Sequence, residues 1–170
     1  SVGTHTITAC FGLICSSELI TVTPGSPTTL DVTPLIAQIT SDESLEITAS
    51  VVDQFGNTVS GELITFSTSN GTMGGVNGNI FYPFASGAQI VTVTWGMQSV
   101  DVLIAVGTGI PSHFEITGCE GVVPAGEWCD ITHILYDQSG NVLNVTQAGL
   151  LSWTTNDGNY SELNDQYFPD

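Results

Sequence analysis

The chain contains no lysine and no arginine among its 170 residues, against 17 aspartates and glutamates, and its formal net charge at pH 7 is −17. Nucleic acid is therefore not expected as a partner, because phosphate binding depends on lysine and arginine. Only the three histidines could form salt bridges with the carboxylates. The carboxylates must otherwise be solvated, hydrogen-bonded or paired with external cations.

Long apolar runs and helical periodicity are also missing. No run approaches the roughly 20 residues that span a bilayer, so no membrane-spanning segment is expected. No Ser–His–Asp or Cys–His motif is present, so we expect no catalytic residues and no enzyme. Valine, isoleucine and threonine are abundant instead, which predicts an all-β protein.

An internal repeat organises the sequence. Residues 3–22, GTHTITACFGLICSSELITV, recur 84 positions later as residues 87–106, GAQIVTVTWGMQSVDVLIAV. Both stretches predict two strands joined by a tight turn. An isolated two-stranded hairpin is marginal in water, so the first copy needs a sheet to join.

Between the two hairpins, turn signals separate short alternating segments. Leu45–Asp53 predicts one long strand, DQFGN at 53–57 a turn, and Gly61–Ser69 a strand with Ile64 and Phe66 inward. About seven such strands over residues 24–106 are typical of an immunoglobulin-like (Ig-like) β-sandwich.

The same unit begins again after residue 108. DITHILYDQSGN at 130–141 matches EITASVVDQFGN at 46–57, again 84 positions apart. The second copy reaches Asp170 without a closing hairpin, whereas residues 109–170 and 1–23 together number 85. We therefore predict two tandem Ig-like domains, with 24–108 complete, 109–170 incomplete, and 1–23 a hairpin that completes a neighbour's second domain.

The run SLEITASVVDQFGNTVSGELITFSTSNGTM, residues 44–73, resembles the bacterial Ig-like repeats of invasin and intimin adhesins. The split second domain resembles extracellular filament subunits of archaea or bacteria that assemble by donor-strand complementation. The resemblance implies a structural subunit of a filament or pilus, a homopolymer of identical subunits. The alternative is an Ig-like segment of a cell-surface adhesin or S-layer protein that binds an external ligand, such as other cells or surfaces.

The repeat also predicts which hairpin residues enter the neighbour's core. Alignment with residues 91, 93 and 95 gives the inward face of the first strand, and the second strand adds three more apolar residues. The predicted donor interface is Ile7, Ala9, Phe11, Leu19, Ile20 and Val22. Two other interpretations remain open: the sequence is a window of a longer tandem array, or the hairpin folds back onto its own second domain.

Four cysteines and three glycosylation sequons favour an extracellular or cell-surface protein. Cys10, Cys15, Cys119 and Cys129 all lie in the two pieces of the split domain, and their spacing fits no common zinc pattern. All three disulfide connectivities are open, two of which would link subunits. The sequons place candidate glycans on Asn70, Asn144 and Asn159.

No cofactor is expected. Asp157, Asn159, Ser161 and Asp165 partly resemble a calcium loop but lack its glycine and its distal glutamate, so an ordinary polar loop is the prediction. His133 takes the place of Ala49 and is expected to be a core histidine, whereas His5 and His113 are expected to be solvated.

Overall fold

The computed structural model describes residues 1–119, 121–143, 154, 159–161 and 166–168. All regular elements in this part of the chain are β-strands, which confirms the predicted all-β class. The strands are β1 (Gly3–Phe11), β2 (Ile14–Val22), β3 (Pro27–Thr33), β4 (Ile36–Thr40), β5 (Leu45–Glu46), β6 (Thr48–Asp53), β7 (Thr58–Val59), β8 (Thr65–Thr68), β9 (Gly74–Asn77), β10 (Ile80–Pro83), β11 (Gly87–Trp95), β12 (Gln98–Gly107), β13 (Pro111–Gly118), β14 (Cys129–Asp137), β15 (Val142–Leu143), β16 (Asn159–Ser161) and β17 (Gln166–Phe168). Within the described residues, no helix is long and apolar enough to cross a membrane.

Strands β3–β12 form the first sandwich. One sheet has the order β3-β6-β7, the other has the order β4-β12-β11-β8, and β5-β10-β9 forms a third, smaller sheet. Side chains alternate between the two faces of a strand, so every second residue points into the core. The fully packed core residues are Leu30, Val32, Ile47, Val51, Phe81, Val91, Val93, Val102, Ile104 and Val106. This arrangement confirms the Ig-like fold.

Three details differ from the sequence prediction. The strand predicted over Gly61–Ser69 is confined to Thr65–Thr68 (β8). The predicted strand Leu45–Asp53 is split into β5 and β6, because the Ile47 amide donates to the Asn79 carbonyl (2.9 Å) and the chain changes sheets there. The short strand β4, which sequence patterning missed, pairs parallel with the end of β12. Ile64 and Phe66 pack against the core as predicted.

The second unit comprises β13–β17, in which β13 and β14 repeat the pairing of β3 and β6. Phe114 lies opposite Leu135, as Leu30 lies opposite Val51. Strand β15 continues the sheet beside β14 as β7 does beside β6, and β16 and β17 join at the start of β14. Among the described residues, this unit has no counterpart of the β11–β12 hairpin.

Strands β1 and β2 form a hairpin that stands apart. Each pairs only with the other among the described residues, and none of these pairings reaches β13–β17. Except for His5, which is half-buried, every residue of the hairpin strands is exposed. Within the described residues, the hairpin therefore does not pair with the second unit.

Candidate functional site

The hairpin β1–β2 repeats the geometry of β11–β12. Gly3 lies opposite Val22 and Cys10 opposite Cys15, just as Gly87 lies opposite Val106 and Thr94 opposite Ser99. The turn glycines, Gly12 and Gly96, have φ angles of +62° and +57°, a left-handed conformation that glycine adopts without strain. The two hairpins therefore share register and turn, and their strands match in length to within one residue.

Their environments are opposite. Val91 and Ile104 are 0% and 2% exposed in the first sandwich, whereas the equivalent Ile7 and Ile20 are 56% and 40% exposed. Val22, the equivalent of buried Val106, is also exposed. The inward face of β1–β2 therefore has the shape and register of a core-forming surface, and nothing in the described part of the chain covers it.

The repeat refines the predicted interface. On β1, Ile7, Ala9 and Phe11 occupy the positions of three inward residues of β11, namely Val91, Val93 and Trp95. On β2, Ile20 and Val22 occupy the positions of the buried residues Ile104 and Val106 of β12. Leu19 instead occupies the position of Leu103, which is half exposed on the opposite face. Because strand side chains alternate, the register of β12 places Leu19 on the outer face.

Three inward positions of the hairpin are polar, which the sequence prediction overlooked. Ser16 stands at the position of Val100, which packs against the core. His5 stands at the position of buried Gln89, and Glu18 at the position of Val102, which is fully buried. Glu18 lies opposite Ile7 in the register. Strict use of the 84-residue offset on both strands would have identified all three.

The second unit presents a matching open face. Leu30 and Val32 are each 5% exposed in the first sandwich, whereas the equivalent Phe114 and Ile116 are 37% and 56% exposed. On β14, Ile131 and Leu135 are only half-buried, although the equivalent Ile47 and Val51 are fully buried. The described part of the second unit is therefore one sheet of a sandwich with its inner face uncovered.

His133 lies on this open face, where the repeat predicted it. It is opposite Ile116 in the register, and its ring stacks on Phe114 with 6.1 Å between centroids. His113 lies on the other face, where its Nε2 is 3.3 Å from Glu115 Oε1. His5 Nε2 lies 2.9 Å from the Ser1 carbonyl.

Asp53 organises the turn between β6 and β7 and also holds the segment that links the hairpin to the first sandwich. Its carboxylate accepts bonds from Asn57 Nδ2 (3.0 Å), the Gly25 amide (2.8 Å) and the Phe55 amide (2.9 Å). The bonds from the Asn57 side chain and from Gly25 hold the pKa of Asp53 far below its usual value. The link between hairpin and sandwich is thus held by a charged carboxylate.

Asp137 repeats this role between the first sandwich and the second unit. It accepts a bond from the Gly109 amide (2.8 Å) and an additional one from Ser41 Oγ (2.6 Å). Burial raises the pKa of Asp137, but bonds from Ser41, Asn141 and Gly109 outweigh it, and the net pKa is far below the usual value. The Ser86 amide donates to Asn141 Oδ1 (2.8 Å), which completes the junction.

Residues 23–27 and 107–111 connect these units, and their bonds to the two aspartates were not predicted from the sequence. The signal that could have identified these bonds is the joint recurrence, 84 positions apart, of a glycine in the connecting segment and an aspartate in the turn.

Both disulfides are local. Cys10 pairs with Cys15 across the hairpin (Cα–Cα 4.1 Å), and Cys119 pairs with Cys129 across the loop before β14 (Cα–Cα 5.3 Å). Cys10 and Cys15 stand at the positions of Thr94 and Ser99, on the outer face of the hairpin. In this structure, therefore, neither disulfide is used to link subunits.

Only some of the residues predicted for glycosylation and for a calcium loop lie in the described part of the chain. Asn70 is exposed in a loop, and its Oδ1 accepts a bond from Thr72 Oγ1 (2.7 Å), the hydroxyl of the same sequon. Asn144, Asp157 and Asp165 lie outside the described residues, and only the backbone of Asn159 and Ser161 is described. Elsewhere in the described residues, no group of three or more His, Cys, Asp or Glu could hold a metal.

No family model matches this sequence, and a comparison with curated proteins finds no match. Solved structures do match. FdeC, an Escherichia coli adhesin, superposes with a TM-score of 0.53 at 14% identity, over 82% of this chain and 52% of that chain. Invasin, a bacterial integrin-binding protein, gives a TM-score of 0.44 at 19% identity, over 84% of this chain and 34% of that chain.

The surface layer protein SbsC, domains 4–9, gives a TM-score of 0.42 at 17% identity, over 84% of this chain and 25% of that chain. The chain thus spans between a quarter and about half of these three structures. The likeness to FdeC supports the fold, which is that of bacterial Ig-like repeat domains.

Proposed function

We propose that this chain is a structural, non-enzymatic subunit of an extracellular filament, and that its hairpin β1–β2 completes the second unit of another copy. One observation carries the proposal: two complementary halves of an Ig-like core are both uncovered. The hairpin has the register of β11–β12 with an exposed inward face, and β13–β14 have the register of β3 and β6 with an exposed inner face.

The completed domain follows from the first sandwich. There, β11 and β12 lie between β4 and β8, and their inward residues close the core over β3 and β6. Inserted in the same way, β1–β2 supply the two central strands of the sheet that faces β13–β14. In this form of strand addition, main-chain bonds provide affinity and side-chain pockets provide register.

Apolar burial provides the driving force. Ile7, Ile20 and Val22 on the hairpin and Phe114 and Ile116 on the second unit would each leave water. Burying a fully exposed side chain of this kind contributes about 1.5–3 kcal/mol, and these five are 37–56% exposed, so together they contribute on the order of 5 kcal/mol. That exceeds the low end of the 4–15 kcal/mol estimated for lost translational and rotational freedom on association.

Insertion of this kind produces a polymer. The hairpin of one copy and the second unit of the next are different surfaces, so the contact is heterologous and does not close on itself. Residues 1–23 then act as the donor, 24–108 as a complete domain and 109–170 as the acceptor. Two disulfides, three sequons and the absence of lysine and arginine support an extracellular location for the polymer.

A second function is favoured by the likeness to FdeC. Under it, the chain is an Ig-like segment of a cell-surface adhesin or S-layer protein, and β1–β2 close a further domain of the same polypeptide. External cells or surfaces would be the ligands. The two functions share the completed sandwich and differ in whether the hairpin crosses between molecules.

Protein from its natural source distinguishes the two functions. We expect fibres by electron microscopy, which denaturant should disperse into separate polypeptides. Protein that forms no fibres would support the adhesin or S-layer segment and overturn the filament.

Matched variants test the interface in the recombinant chain. Ile7→Asp with Ile20→Asp places two charges on the inward face, and we expect it to abolish assembly. Thr8→Asp with Thr21→Asp adds the same charge to the outer face and should leave assembly intact. Equal assembly by both double variants would show that the inward face is not the contact.

A further inference from the structure

The turn of residues 53–57, here called the upper turn, has an open cavity beside it. The cavity has a volume of about 580 Å³ and lies between the base of the hairpin and the turn. Val22, Gly25, Asp53, Phe55 and Asn57 are among its lining residues. The upper turn thus borders space that the described residues leave empty.

The equivalent turn of the second unit, residues 137–141, is occupied. The lower end of the first sandwich fills the same place through the turn of residues 40–43. Ser41 Oγ bonds to Asp137 Oδ2 (2.6 Å), Asp42 Oδ2 accepts the Ile110 amide (3.3 Å), and Ser139 Oγ donates to the Ser41 carbonyl (3.3 Å). The turn of residues 40–43 therefore docks on residues 137–141, whereas among the described residues no equivalent turn docks on the upper turn.

The second unit has its own copy of the turn that does the docking. In residues 40–43 the Glu43 amide donates to the Thr40 carbonyl (3.1 Å), and in residues 124–127 the Glu127 amide donates to the Pro124 carbonyl (3.1 Å). The two turns are 84 positions apart, in register with the rest of the repeat. Ala125 and Gly126 are both exposed.

Between the occupied junction and the upper turn, equivalent side chains differ in size, and the difference has opposite sign on the two facing turns. At the occupied junction, Ser139 bonds to Ser41, and the neighbouring Asp42 bonds to the Ile110 amide. At the upper turn, the position of Ser139 is taken by Phe55, whose ring is 77% exposed. The docking turn of the second unit has lost side-chain volume at both positions, with Ala125 for Ser41 and Gly126 for Asp42. The larger residue of the upper turn, Phe55, is therefore matched in size by the smaller residues Ala125 and Gly126 of the docking turn.

We propose that the turn of residues 124–127 in a second copy docks on the upper turn, with the Phe55 ring packed over Ala125 and Gly126 of that copy. The inference rests on the proposed function, because hairpin insertion brings the second unit of the neighbour to this end of the first sandwich. It adds a second contact between copies and makes every junction along the filament equivalent in position. The occupant is therefore a second copy of this chain.

Photo-crosslinking tests the contact in the full-length chain. Benzoylphenylalanine replaces Phe55 in one sample and Leu13, at the hairpin tip, in another. Each sample is mixed with isotopically heavy chain that lacks benzoylphenylalanine, and the mixture is then assembled and irradiated. Because the chain has no lysine or arginine, peptides are made with a protease that cuts at acidic residues. We expect residue 55 to link light chain to the heavy peptide that contains residues 124–127.

The outcomes separate the two proposals. Links from residue 13 to the heavy second unit, without links from residue 55 to residues 124–127, would overturn this inference and leave hairpin exchange standing. The absence of light–heavy links from both positions would overturn hairpin exchange and this inference together.

A substitution provides a second measurement. Phe55→Ser copies the residue of the occupied turn and removes the ring, and we expect the subunit concentration needed for assembly to rise roughly tenfold. Leu63→Ser, at another exposed apolar side chain, is the control and should have no effect. Unaltered assembly by Phe55→Ser would overturn the packing role of the ring.

Discussion

Asp53 and Asp137, which are 84 positions apart, hold their turns in the same way, and each accepts the amide of a linker glycine at 2.8 Å. Asp137 also accepts Ser41 Oγ at 2.6 Å, whereas the described residues bring no hydroxyl to Asp53. Equivalent ends of the two units are thus built alike, and among the described residues only the one in the second unit is docked within the chain. This asymmetry underlies the predictions about stability and assembly.

The first prediction concerns acid. The hydrogen bonds at both aspartates lower their pKa in the folded state relative to the ordinary value of 3.8. A lowered pKa contributes stability that is fully present above the unfolded value and is lost as pH falls below it. We expect the melting temperature to hold from about pH 7 to about pH 5 and to fall steeply below about pH 4.

Asp53→Asn with Asp137→Asn tests the source of that slope. The double variant should have a lower melting temperature at neutral pH. Its melting temperature should also fall much less below about pH 4 than that of the unaltered chain. An unchanged acid slope in the double variant would assign the acid sensitivity to other carboxylates. Thermal melts followed by circular dichroism at several pH values provide the measurement.

The second prediction concerns the linker glycines. A Cβ on Gly109 would lie 2.8 Å from Asp42 Oδ1 and 3.0 Å from Ser41 Oγ, so the Asp42 side chain must move and give up its contact with Ile110. We expect Gly109→Ala to lower the free energy of unfolding by about 1 kcal/mol, the worth of one hydrogen bond. Denaturant titration of the dispersed chain measures it.

Gly25→Ala is the matched control. The closest atom to its added Cβ is Asp53 Oδ2 at 3.5 Å, an ordinary contact. The dispersed chain should therefore tolerate this substitution. If both alanine variants were equally unstable, the close approach at Gly109 would not be the cause.

The third prediction uses one repeat position in two environments. Val91→Ala removes volume from a residue that is fully buried in the first sandwich. Loss of buried methyl groups should destabilise the dispersed chain by roughly 1–3 kcal/mol. Ile7→Ala, at the equivalent exposed position, should leave the melting temperature of the dispersed chain unchanged but weaken assembly.

Analytical ultracentrifugation and thermal melts of both variants separate the two effects. A large loss of stability in dispersed Ile7→Ala would show that β1 already packs within its own chain. No change in assembly would show that Ile7 does not enter a neighbouring core.

Sequence alone predicted the all-β class and the Ig-like fold, because period-two alternation, turn residues and an 84-residue repeat all point to the same architecture. It also placed Ile7, Phe11 and His133 on inward faces, since the repeat transfers the alternation from one copy to the other. It missed β4, because this strand depends on parallel pairing with β12 and has little alternation of its own.

The junction between the first sandwich and the second unit could not be predicted from local sequence patterns, for a related reason. Ser41 and Asp137 are 96 positions apart, and their hydrogen bond depends on how the two units are placed. Neither residue stands out in its own segment. The choice among cysteine pairings likewise required the observed register, in which Cys10 and Cys15 are directly opposite each other.

The last prediction concerns Glu18, the acidic residue on the inward face of the hairpin. Its position is that of Val102, which is fully buried in the first sandwich. Insertion would therefore carry a carboxylate into the new core, and burying a charge costs free energy unless it is paired and hydrogen-bonded. The chain has no lysine or arginine to pair with it, and the histidines of the assembled face are His5 and His133.

Glu18→Val restores the residue of the complete sandwich. We expect this variant to assemble at a lower concentration and to resist urea better than the unaltered chain. Ser17→Val, on the outer face, adds an apolar residue without entering the core and should change assembly little. Weaker assembly by Glu18→Val would show that the carboxylate makes a favourable contact in the completed domain. In that case a hydrogen bond from His5 or His133 would be the first contact to examine.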